Sequence, residues 1–406
     1  MNTQLSHAEP RTVCSSRQSN PRKIVSAISV CMALQMTSLV MILPLFARRF
    51  TELGAGVEAL SLSAMAYALT STLTAPFMGA LSDRFGRRPL ILGSLAVYVL
   101  AFSGYLVASS AEAFILLRGL AGAFTAGLVP AVIGVVADLA PTDRKAQWIG
   151  FVNGGASIGW IIGPFLGGML YDRWGYDVAL ITSISMALVA FIVASLTTKG
   201  LQNDVRAKLL HTDMMFSLKA FRYSLPNSLS IFGVLLGISF TTMYAWAFIE
   251  PRFMFYVYDD LSWNSSMLGL VMSTYGVAMM LGEFGLSRLS DHMGRKPVIL
   301  TGLFFFSAQF IGLAVSQDYI LIAVTFTIAG LGNALFDPAL NAYILDITST
   351  EHHGRILGIK STAGSVGGIL GPALVVMLVD SLSAQGIFIA AMGTVFLITL
   401  VFVQTK

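Results

Sequence analysis

Twelve stretches of this chain are too long and too apolar to lie in water, and they decide most of what it can fold into. Read at a window of about 19 residues, they fall at 24–46, 57–81, 89–109, 113–138, 146–170, 178–197, 228–256, 264–287, 297–316, 320–345, 355–379 and 384–404. Each matches the roughly 20 residues that a helix needs to cross a hydrocarbon layer ~30 Å thick. Lipid supplies no hydrogen-bond partners, so a spanning segment must satisfy its own backbone, as a helix or as part of a closed barrel. The runs are continuous, aliphatic and rich in Gly, without the short alternating strands of a barrel. The fold class read from them is all-α and integral to a membrane. Composition excludes the soluble alternative: 11% of the 406 residues are charged, against roughly 25% in soluble domains.

An even number of spans leaves both termini on one side. That side carries twenty Lys and Arg residues, whereas the other carries four, Arg48, Arg49, Arg173 and Arg252. The positive-inside rule then predicts cytoplasmic termini in a multi-pass inner (plasma) membrane protein. The first apolar stretch is too long for the h-region of a cleaved signal and lacks a small-residue cleavage site. Residues 1–22 read as a disordered cytoplasmic tail, 23–198 as a six-helix half, 199–226 as a basic cytoplasmic linker loop and 227–406 as a second six-helix half. These halves repeat one another. GALSDRFGRRPLIL (79–92) returns as SRLSDHMGRKPVIL (287–300), an offset of 208 that also maps Pro130 onto Pro338, Asp138 onto Asp346, Gly159 onto Gly367 and Gly163-Pro164 onto Gly371-Pro372. Two joined halves of this kind are the organisation of internal-repeat transporters.

Three motifs carry a family resemblance. GALSDRFGRRPL, with Gly79, Asp83, Arg84, Gly86, Arg87 and Arg88, resembles the helix 2–3 signature of the major facilitator superfamily, G-x-L-x-D-[RK]-x-G-R-[RK]. Gly159, Gly163, Pro164, Gly167 and Gly168 resemble GxxxGPxxGG, the helix 5 signature of its antiporters, and Leu117-Arg118-Gly119 with Gly122 and Gly127 resembles a looser helix 4 pattern. The likeness covers about 24–404 and is nearest to the twelve-helix drug:proton antiporters. MAYAL (65–69) and the following APFMGALSDRFGRRPLIL are similar to tetracycline exporters, yet Gln35 stands where those carry an Asp, so tetracycline itself is not assigned.

The motifs also have a physical reading. A carboxylate at Asp83, in a tight turn, can accept from the N-terminus of a neighbouring helix, and the resemblance makes helix 11 that neighbour. The forked donor of Arg87 suits Asp138, and Asp291, Arg295 and Asp346 are the matching set in the second half. Together they read as a latch on a cytoplasmic gate; the alternative is that the loop only anchors topology by its charge. Gly159, Gly163 and Gly167 recur every fourth residue, so one bare helix face admits a close neighbour. Pro164 bends that helix, and we expect it at the interface of the halves.

Charges inside spans cost ~2.5–3.5 kcal/mol each on insertion scales. Arg118, Glu250, Glu283 and Asp337 are such charges, and the repeat does not mirror them: Phe326, Ala75 and Val129 stand opposite Arg118, Glu283 and Asp337, and Leu43, with one residue of slip, opposite Glu250. Asp337 is expected to exchange the proton, with Glu250 as its competitor, expected to act more on substrate range, and Arg118 modulating the acid. The structural alternatives are a Glu283–Arg288 pair, a headgroup position for Glu250 beside Arg252, and a static cap by Asp337 at a helix break at Pro338. Tyr67, Tyr244, Trp246, Phe336 and Tyr343, with Gln35, Asn153 and Asn341, are candidate cavity residues; the alternative is ordinary packing. Trp148, Trp174 and Trp263 read as interfacial belt residues.

The resulting expectation is a proton-coupled efflux antiporter for small lipophilic drugs or toxic compounds, working by alternating access. A dedicated metabolite or siderophore exporter, a proton symporter and a non-transporting membrane sensor are the alternatives. An enzyme is not expected, because no clustered nucleophile, base or metal ligands are found, CxxC and HExxH are absent and Cys14 and Cys31 lie apart; the absence of GxxxxGK[ST] argues against ATP-driven pumping. Neither metal nor cofactor is expected beyond protons as coupling ion. The expected partners are a small-molecule substrate and membrane lipid, with no nucleic acid, and the expected state is a monomer.

Overall fold

The computed structural model describes residues 21–141, 144–200, 226, 228–286, 289–349 and 353–405, without the side chains of Asp83, Ala146, Gly200 and Asp291. Most of the expected tail and nearly all of the linker lie outside the described residues. Ten helices are long and apolar enough to cross a membrane. One of them, 147–197, is two spans jointed at Gly175, and Val57–Phe85 is a further span, which makes twelve among the described residues. They are α1 (Pro21–Ile42), α2 (Val57–Phe85), α3 (Arg87–Val107), α4 (Ala111–Thr125 continued by Leu128–Leu139), α5 (145–174), α6 (176–197), α7 (Leu229–Phe255), α8 (Ser265–Leu286), α9 (Arg295–Phe306 continued by Ala308–Val315), α10 (Tyr319–Asp346), α11 (His353–Leu378) and α12 (Ala384–Gln404). The chain is a multi-pass membrane protein. Its spans match the twelve read from hydropathy to within a few residues at most ends, and α1 opens at Pro21, inside the range read as tail.

Local chemistry explains the joints. Gly175 turns the chain from α5 into α6 at φ 83° and ψ −179°, a conformation that side chains with a Cβ rarely adopt. Pro44 has no N–H to continue α1, and a short helix, Leu45–Glu52, follows it at a new angle. In α4 the interruption falls at Ala126–Gly127, where Pro130 has no N–H for the Ala126 carbonyl. The α9 joint is at Ser307, whose hydroxyl donates to the Leu303 carbonyl at 2.9 Å, a back-bond that bends helices.

Each half is built the same way. α1 packs on α5 as α7 packs on α11, and α2 on α4 as α8 on α10. The halves then meet along α5–α8 and α2–α11. We call the side holding both chain ends the termini face and the opposite side the far face.

Glycine sets these contacts. A Cβ on Gly159 would strike the backbone of Met36 and Thr37, one on Gly163 that of Thr37 and Met41, and one on Gly167 that of Met41. The stripe of three glycines therefore seats α1 inside the first half, while α5 itself lies at the interface of the halves, as expected, through other residues. Gly168, one residue on and so about 100° around the helix, turns to the backbone of Ser265 in α8. The second half repeats the inner arrangement, with Gly367 against Phe240 and Tyr244 and Gly371 against Phe248. The inter-half glycines are on α8: Gly269 lies on the Pro164 carbonyl and Gly276 on that of Trp160.

A leucine at Gly159 should consequently lower thermal stability in detergent by well over the ~1–3 kcal/mol of ordinary overpacking, because backbone is what it meets. Leucine at Gly154, which has no atom within 4 Å of its Cβ position, should change stability by no more than ~0.5 kcal/mol. Equal melting temperatures for the two variants would contradict the seating of α1 on this stripe.

Candidate functional site

A cavity of about 1080 Å³ lies between the halves. It runs from Arg118 and Glu250, toward the far face, to Asp337, Leu357 and Lys360, toward the termini face. Among the candidate cavity residues, Tyr67, Trp246, Phe336 and Asn341 line it, and so do the intramembrane charges Arg118, Glu250 and Asp337 and the motif residue Pro372. Trp160, Tyr275, Phe306 and Phe326 add aromatic surface that periodicity alone did not single out.

Four other candidates go elsewhere. Gln35 is fully buried on α1, with both amide atoms unpartnered, between Cys31 and Ser38, which bond to Ala190 and Ser183 of α6. Tyr244 stacks between Phe240 and Phe248 at 5.9 and 5.5 Å along α7. Tyr343 turns to Phe402 of α12. Asn153 is exposed on the part of α5 nearer the termini face and does not line the cavity. Glu283 likewise lies exposed at that end of α8, outside the cavity, and Arg288 falls outside the described residues.

The charges inside the cavity form two groups. Toward the far face, Arg118 is buried, its guanidinium 4.6 Å from the Tyr67 ring centre and 5.0 Å from that of Phe46. Such contacts are worth ~2 kcal/mol or more when desolvated, so two aromatic faces hold the cation where a carboxylate is not bonded to it. Glu250 shares this end and lies within electrostatic reach of Arg118. No Lys or Arg among the described residues is within ion-pair distance of Glu250, and Arg252 pairs instead with Asp260 at 3.7 Å, which removes the headgroup pairing as an account of this carboxylate.

Toward the termini face, Lys360 Nζ donates to Asp337 Oδ1 at 2.5 Å and Asn341 Nδ2 to Asp337 Oδ2 at 3.2 Å. Lys360, one of the twenty basic residues on the termini side, is a site residue that hydropathy does not single out. It stands seven residues inside α11, about 10 Å along the helix, and its long stem brings the ammonium into the cavity. α10 runs unbroken through Pro338, so Asp337 does not cap a helix break there.

The motif at the termini face forms two copies of one structure. Gly86 and Gly294 turn the chain at φ 92° and 88°. Arg87 then pairs with Asp138, and Arg295 with Asp346 at 2.9 Å. Arg88 donates to the Ser195 carbonyl at 3.5 Å and Lys296 to the Val403 carbonyl at 2.9 Å, again 208 residues apart, each placing a cation at a helix C-terminus. Gly134 lets Arg87 cross α4, since a Cβ there would meet the guanidinium. Arg84 is exposed beside the Phe85 ring. The side chains of Asp83 and Asp291 lie outside the described residues.

Hydrogen bonds join the halves at the far face. Asp172, near the end of α5, accepts from the Ser265 and Ser266 amides at 2.9 and 2.7 Å and from the Ser266 hydroxyl at 2.5 Å. One half thus caps the N-terminus of a helix in the other, with charge matched to the helix dipole. Arg48 donates to the Trp263 carbonyl and covers the Tyr258 ring, whose hydroxyl donates to the Pro44 carbonyl. Trp263, expected at the lipid interface, is buried in this seam.

The family model described as Major Facilitator Superfamily matches residues 25–253 and 235–405, the two halves in turn. The chain belongs to the Major Facilitator Superfamily. Its relatives in the superfamily include a multi-drug resistance efflux pump PmrA homolog of Lactococcus lactis subsp. lactis, 29% identical over 82% of each chain. The multidrug resistance protein MdtG of Citrobacter koseri is 27% identical over 80% of each. Two solved structures share the fold: the nucleoside transporter NupG, with TM-score 0.76 at 13% identity over 94% of this chain and 99% of that one, and a bacterial homolog of the human lysosomal transporter Spinster, in an inward-facing and unoccupied conformation, with TM-score 0.72 at 14% identity over 96% and 99%. As a Major Facilitator Superfamily transporter the chain moves a small solute.

Asp172→Ala removes three bonds from the far-face seam, and a hydrogen bond to a charged group contributes about 1.5–3 kcal/mol. We expect a cysteine at Ala64, in the cavity wall, to be labelled at least roughly tenfold faster by an impermeant thiol reagent applied at the far face. The comparison uses a background lacking Cys14 and Cys31. Unchanged labelling would remove Asp172 from the closure.

Proposed function

We propose that this transporter exports small lipophilic compounds across the inner (plasma) membrane in exchange for protons, by alternating access, as a monomer with both termini in the cytoplasm. The observation that carries the reading is the cavity itself. Aromatic and aliphatic walls suit flat lipophilic molecules, and the charges set into them have no counterpart in the internal repeat. The multidrug efflux names of the relatives support export of drugs, and the twenty basic residues counted on the termini side support a cytoplasmic opening.

The pairing of Asp337 with Lys360 moves the proton to Glu250. A carboxylate bonded by an ammonium is already neutralised as a pair, whereas Glu250 has an arginine near it but not on it. When the far-face seam is closed, Glu250 lies at the sealed end of the cavity. When it opens, water reaches the carboxylate, which then accepts or releases a proton according to the side exposed. Arg118 stays in its aromatic clamp and makes the charged form of Glu250 tolerable once water enters. At the termini face, closing would bring Asp83 to the N-terminus of α11, with the Arg87–Asp138 and Arg295–Asp346 pairs keeping each half rigid as it moves.

In inverted vesicles energised by respiration, a fluorescent lipophilic substrate should accumulate, and a protonophore should abolish the accumulation. Glu250→Gln should lower the uphill gradient roughly tenfold or more, within the usual range of a coupling free energy, while downhill exchange continues. Uptake that survives the protonophore but needs ATP would refute proton exchange, and normal uphill pumping by Glu250→Gln would refute the role of that residue.

A further inference from the structure

The two walls of the cavity differ in chemistry. The first half contributes Leu39, Leu43, Ala64, Ala68 and Trp160, with Tyr67 and Arg118 as its polar members. The second half contributes most of the aromatic lining and Glu250, and it alone carries a polar ladder, on α10: Asn333, Asp337 and Asn341, each four residues from the last and so on one helix face. Asn333 Nδ2 donates to the Tyr275 hydroxyl at 2.8 Å, and Asn341 and Lys360 both donate to Asp337. The centre of the ladder is a carboxylate. Its side chain is 44% exposed, whereas that of Lys360 is 14% exposed. The negative member of the pair faces the cavity and the positive member is the covered one.

We propose that Asp337 is the recognition site for a protonated amine on the substrate, and that Lys360 is its resident occupant, a tethered ammonium that such a substrate displaces. This deepens the proposed function and rests on the reading that the cavity carries small lipophilic compounds. The substrate's N–H donors take the place of the Lys360 ammonium on the carboxylate, and Asn341 continues to orient Asp337 from the next turn. Lys360 moves back along α11 beside Ser361 and Ser365, which also line the cavity. The pair thereby sets selectivity. An amine gains a carboxylate at the cost of freeing a lysine, a neutral compound leaves the pair closed, and an anion finds the covered ammonium guarded by Asp337. Lys360 and Asp337 are specificity-determining residues on the second half, while the apolar first half serves as a cover that reads shape.

The test is equilibrium binding to the purified full-length transporter in nanodiscs, with no gradient imposed. The probes are a naphthalene fluorophore with an alkylamine protonated at neutral pH, its neutral N-acetyl form and its carboxylate counterpart. Lys360→Met should tighten the amine probe roughly tenfold, the factor by which a site occupied nine-tenths of the time weakens apparent affinity. The same variant should leave the N-acetyl probe within about twofold. Asp337→Asn should reduce amine affinity to that of the N-acetyl probe. The double variant Asp337→Asn/Lys360→Met, which leaves no charge unpaired, should do the same, and so keeps the test available if either single variant fails to fold. Amine binding that weakens or stays constant in Lys360→Met overturns the proposal. So does a double variant that still prefers the amine, or a carboxylate probe that alone loses affinity when Lys360 is removed. Because no gradient is used, failure here with Glu250→Gln still uncoupling efflux removes this inference and leaves proton exchange standing. The expected preferences with proton-independent efflux would do the reverse.

Discussion

Inside a bilayer the hydrophobic effect gives two helices no reason to touch, because lipid tails are as apolar as leucine. Helices associate there through close packing, which requires backbones to approach, and glycine is the residue that permits it. Almost every other feature of this transporter is positioned by that condition. The stripe Gly159, Gly163 and Gly167 draws α1 against α5, and Gly367 and Gly371 draw α7 against α11. Each half becomes a unit stiff enough to move as one body. Between the units, Gly168, Gly269 and Gly276 bring α5 and α8 together. At the repeat-related seam α2 carries Ser61 and Ala68 where α8 carries Gly269 and Gly276, so the two seams are not interchangeable.

The repeat also shows where function departs from scaffold. Everything mirrored at the offset of 208 is structural: the left-handed turns at Gly86 and Gly294, the Arg–Asp pairs, and the cations on the last carbonyls of α6 and α12. Everything that charges the cavity is unmirrored. Arg118 belongs to the first half, and Glu250, Asp337 and Lys360 to the second. A scaffold gains from symmetry because the same packing problem is solved twice. A binding site gains from its loss, because a substrate with one polar end needs one polar wall.

How much of this was legible in the sequence follows from the same physics. The spans were legible because an uncharged run of about 20 residues has few alternatives, and the Arg87–Asp138 pair because the repeat presents it twice. Lys360 was not. A lysine seven residues inside a helix belongs equally to a loop it snorkels toward or to a cavity it reaches into, and hydropathy does not distinguish the two. The direction of Tyr244 was equally hidden: an aromatic in a mostly apolar span carries no sign of which neighbour it stacks on, and it joined Phe240 and Phe248 on its own helix. The glycine stripe was visible as a face, but which helix it faced was not. One residue, Gly167 to Gly168, separates a contact within the half from a contact between halves.

The far-face closure shows why such a machine turns on small free energies. Asp172 caps α8 across the seam, whereas its repeat mate Asp380 is exposed and the N-terminus of α2 has no side-chain cap, with Gly56 at that position. The closure is therefore one capping carboxylate, one arginine on a carbonyl and a ring, and a neutral bond from Tyr258 to Pro44. The counterpart that we propose at the termini face, Asp83 to the N-terminus of α11, has the same chemistry: a carboxylate at the end of one helix on the free amides of another. Exchanging one such cap for another leaves the two conformations close in free energy. A ligand then shifts their populations by the difference in its affinity for the two and by nothing else. In that balance a proton on Glu250 or an amine on Asp337 needs to supply only a few kcal/mol to decide which face is open, and the weakness of each single cap is what keeps either face from locking.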